Sequence, residues 1–233
     1  KRRGGNRRCI GGEKNKRVYE KMKTLIKICG VTNEKDVNFI SMLDVDFIGF
    51  NLAPGGKRTV SENALKKLVP LVPAYITSVA VMVNPAIKEV SRIIKKTGIG
   101  CYQFHGDESV EFIKEVKELG VKVIKVFRFP DEDSVDKALP YAEYADYFLV
   151  DSFLPGLTPS GGTGVKYSSS IALKLKALGV KMFLAGGLNP ENAAEAVREI
   201  EPYAVDAASG VEKSPRSKDI EKIRAFIRAV RGA

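Results

Sequence analysis

A short apolar run, a loop and an amphipathic run recur eight times from residue 25 to the end of the chain, at intervals of about 25 residues. The strands read as Leu25–Cys29, Asp46–Leu52, Ser78–Val83, Cys101–Phe104, Val121–Phe127, Tyr147–Asp151, Lys181–Ala185 and Tyr203–Asp206. Helices are expected at Asn33–Leu43, from Ser61, at Ile87–Lys96, Ser109–Leu119, Glu132–Ala142, Ser168–Leu178, from Asn189–Asn192, and at Lys218–Arg231. Thr32 or Asn33 can cap the first helix, and Gly98 and Gly120 can close two others. Pro190 falls where a first helical turn tolerates a missing N–H. Doubly wound sheets alternate in this way too, but usually with fewer units. Eight units in 233 residues predict an α/β fold, a single closed (β/α)8 TIM barrel.

The formal charge of +10 is uneven. Residues 1–21 hold nine basic and two acidic side chains, so most of the excess sits in that segment. Its glycines and lack of periodicity read as a disordered basic extension. Met22 directly precedes the first strand and reads as a natural start, which leaves residues 22–233 as the barrel domain. A basic arm of this kind could bind RNA or an anionic surface. No apolar run approaches the roughly 20 residues of a membrane span. The cysteines Cys9, Cys29 and Cys101 show no CxxC spacing, and the chain has one histidine, so no zinc set is apparent. A reduced, cytoplasmic protein with no membrane association is expected.

In such barrels chemistry gathers at the C-terminal ends of the strands. Cys29 ends the first strand, where a thiol is either a small buried hydrophobe or a reactive group. Lys27 lies on the same side of that strand and could favour a thiolate. Asp151 ends an otherwise apolar strand, where burial would suit a general acid and a cap or an ion pair is the alternative. Arg58, on the glycine-rich loop Ala53–Thr59, could clamp a carboxylate or simply be solvated. His105, just past strand four, could meet substrate or backbone. Gly186-Gly187 and Ser209-Gly210 follow strands seven and eight, the usual phosphate site of this fold; glycine lets backbone N–H groups approach an anion. Without a Gly-x-Ser-x-Gly elbow, a serine triad is set aside.

Taken together, Lys27-Ile28-Cys29-Gly30-Val31-Thr32, Gly49-Phe50-Asn51, Gln103-Phe104-His105-Gly106, Asp151, Gly161-Gly162-Thr163-Gly164, Leu184 to Asn192 and Ser209-Gly210-Val211-Glu212 resemble the phosphoribosylanthranilate isomerase family of tryptophan biosynthesis. The resemblance runs in order from about residue 24 to 231. It implies an Amadori rearrangement of an aldose-type N-glycoside to a ketose, with Cys29 as general base and Asp151 as general acid. It implies substrate contacts from Arg58 (the anthranilate carboxylate), Gln103 and His105, and phosphate ligands at Gly186, Gly187, Ser209 and Gly210. It also implies a small-molecule substrate, no metal or redox cofactor, and a monomer or homodimer. The chain departs from the family pattern at Gly55-Gly56-Lys57, which lacks a serine before Arg58. It departs again at Tyr167-Ser168-Ser169, and at Ala208 in place of a serine.

Two other readings compete. One is the histidine-pathway aminoaldose isomerase, which uses two aspartates where this chain has Cys29 and Asp151. The other is a non-catalytic phosphate- or RNA-binding barrel with a basic arm.

Overall fold

A computed structural model describes residues 23–151 and 169–233. The basic segment of residues 1–21, the Pro/Gly-rich loop after residue 151 and the motif Gly161–Gly164 lie outside the described residues. Eight parallel strands pair in sequence order, and β8 returns to β1 to close the barrel. They are β1 (Leu25–Cys29), β2 (Phe47–Asn51), β3 (Thr77–Met82), β4 (Cys101–Phe104), β5 (Lys122–Phe127), β6 (Tyr147–Asp151), β7 (Lys181–Ala185) and β8 (Ala204–Ala207). The α-helices are α1 (Glu34–Ile40), α2 (Glu62–Leu68), α3 (Ile87–Thr97), α4 (Val110–Glu118), α5 (Ser169–Ala177), α6 (Ala193–Ile200) and α7 (Ile220–Arg231). The expected caps form: Asn33 and Ser61 accept from the first turns of α1 and α2, and Gly98 ends α3 with φ +71°.

Three local expectations give way to side-chain chemistry. Between β5 and β6, residues Asp133–Tyr141 form a 3-10 helix instead of an α-helix. Pro140 has no N–H to donate to an α-helical ladder there. Pro190 precedes α6, which begins at Ala193, because Asn189 Oδ1 accepts from the N–H groups of Glu191 and Asn192 and winds a separate turn. The last helix starts at Ile220, capped by Asp219, and not at Lys218. The residues before it make a hairpin, β9 (Glu212–Ser214) with β10 (Ser217–Lys218).

Two-residue periodicity divides each barrel strand between two cores. One face of the strands packs under the helices through Ile26, Ile28, Ile48, Phe50, Phe104, Phe148 and Val205. The other fills the barrel with Phe47, Val79, Cys101, Ile124, Leu149, Phe183 and Ala204. Phe183 packs edge-on to Phe47 at 5.1 Å and to Tyr147 at 5.3 Å. Each such fully buried ring or aliphatic chain contributes about 1.5–3 kcal/mol. Continuing the inward parity up each strand leads from this apolar plug to Lys27 and Cys29, Asn51, Gln103, Asp151 and Asp206. The polar residues therefore collect at the C-terminal mouth.

A buried ion pair braces the β4–β5 side of that mouth. Lys125 of β5 meets Glu108 at 3.0 Å and the Gly106 carbonyl at 2.8 Å. Glu108 in turn accepts from the N–H groups of Asn84 and Gly106. The loop after β4, which begins with His105, is tied to β5 and to the loop after β3. Among the described residues, no helix is long and apolar enough to cross a membrane.

Candidate active site

Cys29, half-buried at the end of β1, is level with Gly49 of β2. A Cβ at residue 49 would stand 2.8 Å from Cys29 Sγ and 3.2 Å from Lys27 Nζ. Gly49 has no left-handed φ, so glycine serves here as space for the thiol and the ammonium. Lys27 is fully buried and ion-paired with Asp206 Oδ2 at 2.8 Å. Burial opposes the lysine's charge, but Asp206 and then Cys29 outweigh it and hold its pKa above the usual range. For the thiol the balance is reversed. Burial pushes Cys29 up; Lys27 is the strongest influence pulling it down, Asp206 raises it further, and Lys218 lowers it. The lysine flagged in the sequence thus favours the thiolate, and burial outweighs it.

Lys218, beside this group, is buried and donates to the carbonyls of Cys29 (2.7 Å) and Ala208 (2.9 Å) and to Glu212 Oε1 (3.1 Å). It pins the end of β1 to the loop after β8. Burial depresses its pKa against the pull of Glu212. Arg58 lines the same cavity, with its guanidinium held by Glu212: Nε donates to Oε1 at 2.8 Å and Nη2 to Oε2 at 2.6 Å. The carboxylate that Arg58 clamps in this structure is therefore the chain's own. Two of its five donors are used in this way.

Asp151 ends β6 across the mouth. His105 Nε2 lies 3.4 Å from its Oδ2, and Arg128 Nη2 lies 3.6 Å from the same oxygen. Gln103 stands 3.3 Å from His105 Nδ1. Gly186 and Gly187 follow β7 in the left-handed region, with φ +97° and +68°, and Ser209 opens a 3-10 turn after β8. A cavity of about 260 Å³ joins these groups; Cys29, Arg58, Gln103, His105, Asp151, Gly186, Gly187, Asp206 and Ser209 all line it. Gly210 does not. It supports the loop from behind, where any Cβ would run into the Leu188 carbonyl.

The site residues singled out in the sequence thus converge, with Gly210 one layer back. Three participants were not singled out, Lys218, Asp206 and Arg128. The signal for Asp206 and Arg128 was inward parity, Asp206 two residues after Ala204 and Arg128 two after Val126; Lys218, on the hairpin after β8, had no such signal. Asp206 Oδ1 and Gln103 Oε1 are buried without hydrogen-bond partners among the described residues. Among the described residues, no group of three or more His, Cys, Asp or Glu side chains could hold a metal ion.

A family model described as N-(5′-phosphoribosyl)anthranilate isomerase matches residues 26–229. A protein of that name from Chlorobium luteolum is 40% identical over 217 residues, covering 90% of this chain and 98% of the relative. A crystal structure of phosphoribosyl anthranilate isomerase from Thermotoga maritima superposes with a TM-score of 0.81 at 31% identity, covering 90% of this chain and 100% of that one. Another crystal structure of such an isomerase, in complex with reduced 1-(o-carboxyphenylamino)-1-deoxyribulose 5-phosphate, gives a TM-score of 0.79 at 30% identity and the same coverage.

Proposed function

Since the chain belongs to the N-(5′-phosphoribosyl)anthranilate isomerase family, an isomerase of tryptophan biosynthesis, we propose that Cys29 is its general base and Asp151 its general acid. The observation that carries this assignment is the shared cavity, which holds both groups together with the glycine loops after β7 and β8.

In this reading the substrate phosphate rests on backbone N–H groups of Gly186, Gly187 and Ser209, with Gly210 holding the last of these loops close to Leu188, and Gln103 and His105 contact the ribose. Asp151 donates its proton to the furanose ring oxygen. The C1′–O bond breaks and leaves a Schiff base between C1′ and the anthranilate nitrogen. Cys29 as thiolate removes the C2′ proton, and the electron pair moves to give an enolamine. Transfer of the enol proton to C1′ completes the ketone. General acid–base groups of this kind each contribute about 10²- to 10⁴-fold.

Arg58 would bind the anthranilate carboxylate with the donors that Glu212 leaves over, or in exchange for Glu212. The thiol at the end of β1 separates this site from the two-aspartate arrangement of the histidine-pathway isomerase. For residues 1–21 we propose a dispensable extension, so that their deletion leaves turnover intact. A structure of the Thermotoga maritima enzyme is described as that of monomers generated from a dimeric isomerase. A monomer or homodimer is proposed for this chain, in the cytoplasm, and sedimentation velocity separates the two states.

The test is turnover of freshly made phosphoribosylanthranilate, followed by loss of anthranilate fluorescence. Cys29→Ala and Asp151→Asn should each lose at least ~100-fold in kcat. Undiminished turnover in Cys29→Ala would remove the thiol from the mechanism.

A further inference from the structure

His105, Arg128 and Asp151 stand at the ends of three neighbouring strands. Pairing of Phe127 with Val150 sets Arg128 opposite Asp151, and pairing of Phe104 with Lys125 sets His105 two residues lower, opposite Val126. Arg128 Nη2 lies 2.8 Å from His105 Nε2, well within a hydrogen bond. An arginine only donates and stays charged, so the ring nitrogen it meets must offer a lone pair. An imidazolium would instead turn an N–H toward another cation. A neutral imidazole carries one N–H, and it is left on Nδ1. Nδ1 faces Gln103 Nε2 at 3.3 Å, so an N–H there is answered once the amide makes a half-turn. That amide can accept only through its oxygen, which is the Gln103 atom otherwise buried without a partner.

We propose that Arg128 is a positioning residue that holds His105 as the neutral, Nδ1–H imidazole and so keeps the proton of this corner on Asp151. The proposal rests on the reading of Asp151 as the acid. His105 Nε2 lies 3.4 Å from Asp151 Oδ2. As an imidazolium, His105 would form a charged pair with Asp151 and hold it as carboxylate, with no proton to give. Arg128 bars that pair by occupying the Nε2 lone pair with its own N–H. It is the weaker partner for the carboxylate itself: its contact to Asp151 is 3.6 Å, and its side chain is 60% exposed and so screened. The same exposure makes it a clean probe, since little of the fold depends on it.

His105 is the chain's one histidine, so its ring nitrogens can be read without assignment. The experiment is a long-range ¹H–¹⁵N correlation on the full chain labelled with ¹⁵N-histidine, at a pH of about 8 where a free imidazole is neutral. It is run beside turnover for the parent chain, Arg128→Met and Arg128→Lys. The parent should show a protonated Nδ1 and a bare Nε2. Arg128→Met should move the proton to Nε2 and lower kcat by about 10- to 100-fold, the range typical of a group that orients another. KM should change less than kcat, because Arg128 itself does not line the cavity. Arg128→Lys, which keeps a cationic donor, should retain the Nδ1–H form and most of kcat.

A parent imidazole protonated at Nε2 overturns the proposal. So does an Arg128→Met variant that keeps both the tautomer and kcat. Full turnover in Asp151→Asn overturns the acid assignment instead and leaves the tautomer result standing, so the two failures are told apart.

Discussion

Gly49→Ala perturbs the thiol while leaving Cys29 itself unchanged. The added Cβ would sit 2.8 Å from Cys29 Sγ, 3.2 Å from the Cys29 Cα and 3.2 Å from Lys27 Nζ. Non-bonded heavy atoms settle at about 3.5–4.0 Å, so the sulfur must retreat by roughly 0.7–1.2 Å. Residue 49 has no left-handed φ, and alanine is therefore unstrained in its backbone. The whole effect is one of crowding. Overpacking of this kind costs typically ~1–3 kcal/mol of stability, and a misplacement of about 1 Å at a reacting group can cost ~100-fold in rate. The assay is kcat for phosphoribosylanthranilate by fluorescence, with urea unfolding in parallel and Gly100→Ala as control. Gly100 has nothing within 4 Å of its would-be Cβ and no left-handed φ, so alanine there should leave turnover unchanged. We expect Gly49→Ala to remain folded at room temperature and to lose ~30- to 100-fold in kcat, a loss out of proportion to its stability change. Full turnover in a folded Gly49→Ala variant would refute the reasoning, because it would mean that the position of the sulfur does not matter to the reaction.

Other expectations follow from the charges. Lys27→Met removes the strongest influence lowering the Cys29 pKa and leaves the buried Asp206 carboxylate uncompensated. Stability should fall by ~3–5 kcal/mol, and iodoacetamide should alkylate Cys29 more slowly at any fixed pH. Cys101, buried and with its thiol pushed up to about 12, serves in the same peptide map as a reporter of unfolding. Faster Cys29 alkylation in a folded Lys27→Met variant would reverse the sign assigned to the lysine. For the parent chain, the rate of Cys29 alkylation should rise with pH through and beyond the usual thiol range, since the attacking form is a thiolate whose pKa burial has raised. The Arg231 hydrogen bond, helped by Lys23, holds the Asp44 carboxyl at about 2 against a free value of 3.8. A pKa lowered in the folded state stabilises it above the free value, and that gain is lost as pH falls from about 3.8 through 2. Asp44 is half exposed, so Asp44→Asn should cost under ~1 kcal/mol at neutral pH and nothing well below pH 2, as read from urea midpoints.

Much of this was legible in the sequence because it is local. The runs Leu25–Cys29, Cys101–Phe104, Tyr147–Asp151 and Lys181–Ala185 coincide with β1, β4, β6 and β7. Burying an apolar face needs only the right period and a turn residue at each end. Parallel order and closure then follow from eight alternating units, and they carry Cys29, Asp151, Gly186-Gly187 and Ser209 to one mouth. The misreadings were local too. Pro140 and the Asn189 turn are competitions between side chain and backbone that a count of apolar positions cannot decide.

The pairings had to wait for the tertiary structure. Lys27 and Asp206 are separated by 179 residues, and Arg58 and Glu212 by 154. Nothing in the chain near Lys27 says that its charge is answered from β8, or that burial outweighs that lysine at the thiol beside it. Nor does the loop around Arg58 reveal that a glutamate of this chain already fills its fork. Periodicity reports which face of a strand is buried. Charges meet across the barrel according to strand register and closure, and the direction in which a pKa moves depends on the balance of burial and partners that only the closed barrel establishes.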